Sequence, residues 1–169
     1  KNRQRLRAPE RAGQFVSLSL AVQFVSKAKH LPSRAQVRRW ALAAHQGTGA
    51  SADAMVTIRY VDEKEGRALN LQFRSKDYAT NVLTFVHESA PFQDESAYAA
   101  DIVICAPVIA REAREQKKPV AAHHGHMVLH GMLHAQGFDH EDAVEAEAME
   151  AIEIALLRRF RIDNPYESV

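Results

Sequence analysis

Three histidines at offsets zero, four and ten, His130, His134 and His140, with Gly137 three residues before the last, constrain this chain more than any other feature. Residues four apart share one helical face, so a helix through this stretch aims the imidazoles of His130 and His134 at a common point. Gly137 can take the left-handed conformation that ends a helix, which lets Phe138 and Asp139 turn the chain and bring His140 back toward that point. Neutral imidazole is a good ligand for zinc and its transition-series neighbours, and three protein ligands leave a fourth tetrahedral position open. The spacing predicts a metal site of the catalytic rather than the structural type.

The same spacing follows the zinc-protease pattern H-E-x-x-H-x-x-G-x-x-H at each histidine and at the glycine, but Gly131 stands where that pattern has glutamate. The glutamate is the general base of those proteases, and glycine transfers no proton. Peptide hydrolysis by that route is disfavoured. The bland alternative, helix and loop histidines that bind nothing, suits an isolated pair better than this set of three.

With 169 residues, 46% of them hydrophobic, the chain is long enough for one domain with a substantial core. No run approaches the ~20 apolar residues of a membrane span, and no apolar signal-peptide core stands near the start. The first residue is Lys1, as a trimmed or processed terminus leaves. Cys105 is the single cysteine, which excludes an intramolecular disulfide and fits a reducing compartment, so a soluble cytoplasmic protein is expected. The net charge of +1 conceals an asymmetry. Lys1, Arg3, Arg5, Arg7 and Arg11 make residues 1–14 a basic arm, either disordered or suited to phosphates. Residues 141–153 instead carry Glu141, Asp142, Glu145, Glu147, Glu150 and Glu153.

Alternation over residues 15–25, with Leu18, Leu20, Val22 and Phe24 on one side, predicts a half-buried strand. Ser33 with Gln36 forms a capping-box pattern for a helix that presents Val37, Trp40, Ala41 and Ala44 and ends near Gly47. A second strand is expected over Val56, Ile58 and Tyr60, followed by a short helix capped at Asp62 and burying Leu69 and Phe73. Val82 to Phe85 alternates as a third strand, residues 86–100 read as an excursion loop, and Ile102 to Cys105 is an apolar run of the kind buried on both faces of a sheet. Pro107 opens a helix to about Gln116, and Pro119 leads into the motif helix, whose Met127, Val128, Leu129, Met132 and Leu133 assign it to the core. The last helix carries acids early and Arg158, Arg159 and Arg161 at its end, as its dipole favours, so its acids are expected to form a solvated face rather than a second metal site. His123, His124 and His126 read as helix-start or core histidines, with His126 the most plausible substitute ligand or proton carrier.

Three segments taken together resemble the YbeY family of metal-dependent endoribonucleases. The family's metal signature, H-G-x-L-H-L-x-G-Y-D-H, is similar to His130-Gly131-Met132-Leu133-His134-Ala135-Gln136-Gly137-Phe138-Asp139-His140. Its segment L-N-x-x-Y-R-x-K-D-x-x-T-N-V-L-S-F is matched from Leu69 to Phe85, and G-D-I-x-I-C from Ala100 to Cys105. Ala135, Phe138, Thr84 and Ala100 depart from the pattern and leave every ligand in place. Residues 1–14 lie outside the resemblance.

The resemblance implies a single α+β domain over residues 15–169, with a mixed sheet of about four strands and a buried central motif helix in a zincin-like arrangement. It implies His130, His134 and His140 as ligands of one divalent transition metal, most simply Zn2+, and Arg74 as the catalytic arginine. It further implies a single-strand-specific endoribonuclease of ribosomal RNA maturation and ribosome quality control, whose partners are ribosomal RNA, small-subunit components and a ribosome-assembly GTPase. Chemistry agrees, because a bound metal lowers the pKa of water to about 7 without a dedicated base, and an arginine fork suits a phosphodiester. Arg74 also has a structural reading, as an ion-pair partner of Asp77 or Asp101. Asp139 either orients a ligand histidine or caps the turn, and Lys76 either touches phosphate or stands in water. The rival functions are a metalloprotease-like hydrolase and a non-catalytic, metal-stabilised ribosome-binding factor.

Overall fold

Side chains that alternate along an extended chain point to opposite faces, and the first strand shows this directly. In the computed structural model, described over residues 17–49, 52–88 and 96–167, β1 (Leu18–Phe24) turns Leu18, Leu20, Val22 and Phe24 toward the main core. Residues 1–14, with the basic arm, lie outside the described residues. The capping box at Ser33 forms as expected, with Gln36 N donating to Ser33 Oγ at 3.2 Å and Ser33 N donating to Gln36 Oε1 at 2.9 Å. It starts α1 (Arg34–Gly47), which buries Val37, Trp40, Ala41 and Ala44 and crosses over to β2 (Ala54–Val61).

β1 and β2 run parallel, β2 pairs in parallel with β4 (Tyr98–Cys105), and β4 pairs antiparallel with β3 (Val82–Val86). The order is β1-β2-β4-β3, a mixed four-stranded sheet among the described residues. The expected loop over residues 86–100 is therefore shorter than the sequence suggests. Val86 pairs with Ala100 and Tyr98 with Ala54, so ladder bonds to two neighbours extend both strands where the side chains show no period.

The two sheet faces bury different helices. Val56, Ile58, Tyr60, Ile102 and Ile104 face α1, α4 (Val120–Ala135) and α5 (Ala143–Arg159), while Val61, Leu83, Val103 and Cys105 face the other way, with Leu69 of α2 (Glu63–Arg74) and Val108 of α3 (Ala106–Glu115) packed on them. The motif helix α4 is buried along most of its length, as its composition requires. Two expectations fail on the helices. Asp62 does not cap α2 through its side chain; its carboxylate instead accepts from Ser26 Oγ and from Lys27 N, the latter at 3.3 Å. Phe73 is not buried but 57% exposed, whereas Gly66 and Asn70 are the buried residues of α2. None of the described helices is long and apolar enough to cross a membrane.

Candidate metal centre and cleft

The end of α4 builds the site. Phe138 N donates to Leu133 O at 3.1 Å and Gly137 N to His134 O at 3.0 Å, the paired bonds of a Schellman turn, with Gly137 at φ +92° where an L side chain is strained. The chain leaves the helix there and His140 returns to it. One nitrogen from each of His130, His134 and His140 lies within 4.8 Å of the others, and Nε2 of His130 is 3.1 Å from Nε2 of His134. Three imidazole nitrogens converging at this spacing form a nest that fits a divalent transition metal. Burial, aided by the charges of His130 and His140, lowers the pKa of His134 and keeps it in the ligand form.

Behind His130 stands a residue that the sequence reading missed. Glu153 of α5 was expected on a solvated face with the other acids, yet it is fully buried, whereas Glu141, Asp142, Glu145 and Glu147 are exposed. Its carboxylate oxygens lie 3.2 and 3.3 Å from His130 Nδ1, and Tyr166 Oη donates to it at 2.6 Å. His126 Nε2 is 2.8 Å away, at an angle that falls short of a hydrogen bond. Burial works against the Glu153 charge, but the contacts with His126 and His130 outweigh it and hold the carboxyl down to about 2. An ionised carboxylate only accepts, so His130 Nδ1 carries the proton and Nε2 keeps its lone pair toward the nest. His126, His130 and Glu153 are themselves close enough to form a second group of metal-ligand type. Its carboxylate is sealed from solvent, and His126 does not line the cleft, so it serves as the support behind the nest.

The nest opens into a cleft of about 780 Å³ whose lining includes Phe73, Arg74, Thr84, Phe85, Asp139 and Glu141. Arg74 reaches it from the last turn of α2, where Ser75 in left-handed conformation (φ 57°) ends the helix. Neither expected ion pair of Arg74 forms. Asp77 is held by Arg67 at 2.7 and 2.8 Å and Asp101 by His87 at 2.9 Å. Asp139 accepts from His140 N at 2.7 Å, a turn cap rather than a contact to an imidazole. Of the histidines at the helix start, His123 is paired with Glu112 at 2.7 Å, and His124 lies tilted beside Tyr60, ring centroids 5.5 Å apart, and is pushed down to about 4 by burial, with the charge of His123 adding to the shift.

Gly131 decides between the two chemistries that the spacing allows. A Cβ there would lie 2.8 Å from Ile102 Cγ2 and 3.4 Å from Thr84 Oγ1, so this position faces the sheet and has no room for a glutamate. The family model described as Endoribonuclease YbeY matches residues 22–161. The chain belongs to the YbeY family. A YbeY from Thiobacillus denitrificans is 54% identical over 152 residues, 89% of this chain and 97% of its own, and one from Aromatoleum aromaticum is 53% identical over 135 residues, 80% and 81% of the two chains. Both carry the name Endoribonuclease YbeY. The solution structure of TM1509 from Thermotoga maritima shares the fold, with a TM-score of 0.54 at 23% identity over 87% of this chain and 99% of that one.

The YbeY segments thus occupy one neighbourhood. Leu69 to Phe85 supplies the end of α2 and strand β3, Ala100 to Cys105 the strand beside it, and the histidine motif the helix laid across both. Asn81 of the first segment binds Glu112 at 3.2 and 3.3 Å, and Glu112 in turn binds His123 at the start of α4, which ties the cleft floor to the motif helix.

Proposed function

We propose that this protein is a metal-dependent endoribonuclease that cuts single-stranded RNA, with His130, His134 and His140 holding one divalent transition metal, most simply Zn2+, and Arg74 holding the phosphate. The observation that carries the proposal is the meeting, in one cleft, of a three-nitrogen nest and an arginine that pairs with no acid among the described residues. A metal held by these three histidines would supply Lewis-acid polarisation of a phosphoryl oxygen and acidification of water, which suits a motif with Gly131 where the proteases carry their glutamate. Glu153 fixes the tautomer and orientation of His130. Arg74 offers two parallel N–H donors to the non-bridging oxygens and neutralises charge that grows on them as the bond breaks. Asp139 and Glu141, on the histidine side of the cleft, oppose close approach of a second phosphate.

Family membership supports extending the proposal to ribosomal RNA maturation and ribosome quality control in the cytoplasm. Small-subunit components and a ribosome-assembly GTPase are then the expected partners. Metal content measured alongside cleavage of ribosomal RNA tests the whole reading. Purified protein should contain close to one metal per chain and lose cleavage on chelation, His134→Ala should lose both metal and cleavage, and Arg74→Ala should lose cleavage alone. Folded, metal-loaded protein that cuts no RNA would make it a binding factor instead, and cleavage unchanged in both variants would assign the activity to a contaminant.

A further inference from the structure

The last turn of α2 leaves a large aromatic side chain in water beside the cleft. Phe73 packs edge to face with Phe85, ring centroids 4.9 Å apart and planes at 62°, and this one ring contact braces it while more than half of the residue stays open. Both rings line the cleft that contains Arg74, His130, His134 and His140. An exposed ring in a functional cleft gains free energy when something flat and apolar covers it. Arg74, the next residue along, has no ion pair among the described residues, so the group that covers Phe73 must be followed closely by an anion. A nucleotide of single-stranded RNA has this pairing of flat base and phosphate. In a duplex the base faces are already stacked on their neighbours and the ring cannot reach them. Asp139 and Glu141, on either side of His140 in the chain, also line the cleft and repel the second backbone that a duplex would bring.

We propose that Phe73, braced by Phe85, is a base-stacking subsite that seats one unpaired RNA base next to the phosphate held by Arg74. The proposal rests on the endoribonuclease reading and makes the preference for single strands a property of this ring. The chain's one tryptophan, Trp40, is only 6% exposed, so Phe73→Trp introduces the one indole that a ligand can reach. In the metal-loaded variant, single-stranded oligouridylate should quench the new emission in a saturable way when read by rapid mixing before turnover, and duplex RNA of equal length should not. Phe73→Ala should weaken oligouridylate binding roughly 5- to 150-fold, the range expected for one stacked base. Phe73→Tyr should restore the affinity and Phe73→Leu, apolar but unable to stack, should not, with circular dichroism and metal content unchanged throughout. Equal binding by Phe73→Ala and the parent, or full rescue by Phe73→Leu, overturns the subsite and leaves the endoribonuclease reading standing. A parent protein that neither binds nor cuts RNA overturns both.

Discussion

Arg74 sits at a helix end with solvent around it and both neighbouring acids engaged elsewhere, Asp77 by Arg67 and Asp101 by His87. A side chain that contributes so few contacts to the fold can be removed at little cost in stability, within about 0.5 kcal/mol. Its loss should be felt in the reaction. If the guanidinium stabilises charge that develops as the phosphodiester breaks, Arg74→Ala should lower kcat/KM by about 10²- to 10³-fold with metal content intact, and Arg74→Lys should recover only part of this because the paired donors are gone. Steady-state kinetics with metal analysis on the same samples checks it; a large change in unfolding midpoint would show that Arg74 is structural after all. Gly131 poses the opposite case, a residue that matters for stability. Its α-carbon faces Ile102, a fully buried side chain that has nowhere to retreat, and a Cβ would come within 2.8 Å of it. Gly131→Ala should therefore cost about 1–3 kcal/mol in urea denaturation, and Gly131→Glu should cost more without creating a protease.

The helix α5 matters to the site through one residue, Glu153, which reaches His130 from 23 positions along the chain. An amide in place of the carboxylate can turn an N–H toward His130 and stops enforcing the tautomer that leaves Nε2 free. Glu153→Gln is expected to weaken metal binding by about 10- to 100-fold, read by competition with a chromophoric chelator. Tyr166→Phe, which removes one donor to the same carboxylate at 2.6 Å, should have a smaller effect. Unchanged metal affinity in Glu153→Gln would reduce the contact to packing. The contrast between this residue and the three histidines shows what was legible beforehand. His130, His134, Gly137 and His140 are related by helix arithmetic and one turn, all local, and the spacing carried their convergence. Ser33 with Gln36 was legible for the same reason, since a capping box is complete within four residues. Glu153 looked like one more acid of a charged helix because its burial depends on where α5 lands against α4. Phe73 failed in the reverse sense: its spacing from Leu69 marked a buried stripe, but α2 buries Gly66 and Asn70, packs Leu69 only in part and leaves Phe73 out.

Across the whole molecule, the sheet order β1-β2-β4-β3 was beyond sequence reading, because strand pairing joins residues far apart in the chain and periodicity reports only which face is covered. One global property does follow from where the sheet and helices bury their histidines. His45 is fully buried and His124 almost so; burial lowers the pKa of both, His124 to about 4, and burial followed by neighbouring histidine charges lowers that of His134. In the unfolded chain these groups take up protons near their ordinary 6.5, whereas in the fold they resist doing so. Between pH 6.5 and 4 the unfolded state thus binds more protons than the native state, and stability falls as pH falls. Glu153 continues the trend lower down, since its carboxyl is held near 2 against an ordinary 4.5 and its contribution disappears as pH drops between those values. Urea midpoints measured with a chelator present, to keep metal release out of the comparison, should decline steadily from pH 7 to 4. His124→Leu, which keeps an apolar side chain beside Tyr60 and removes the titrating group, should flatten that decline. A midpoint that holds constant or rises between pH 6.5 and 4.5 would mean that the buried histidines find proton acceptors on acidification. Without chelator the decline should be steeper in metal-loaded protein, because protons then compete with the metal for His134 and the stabilisation that binding adds is lost as the pH falls.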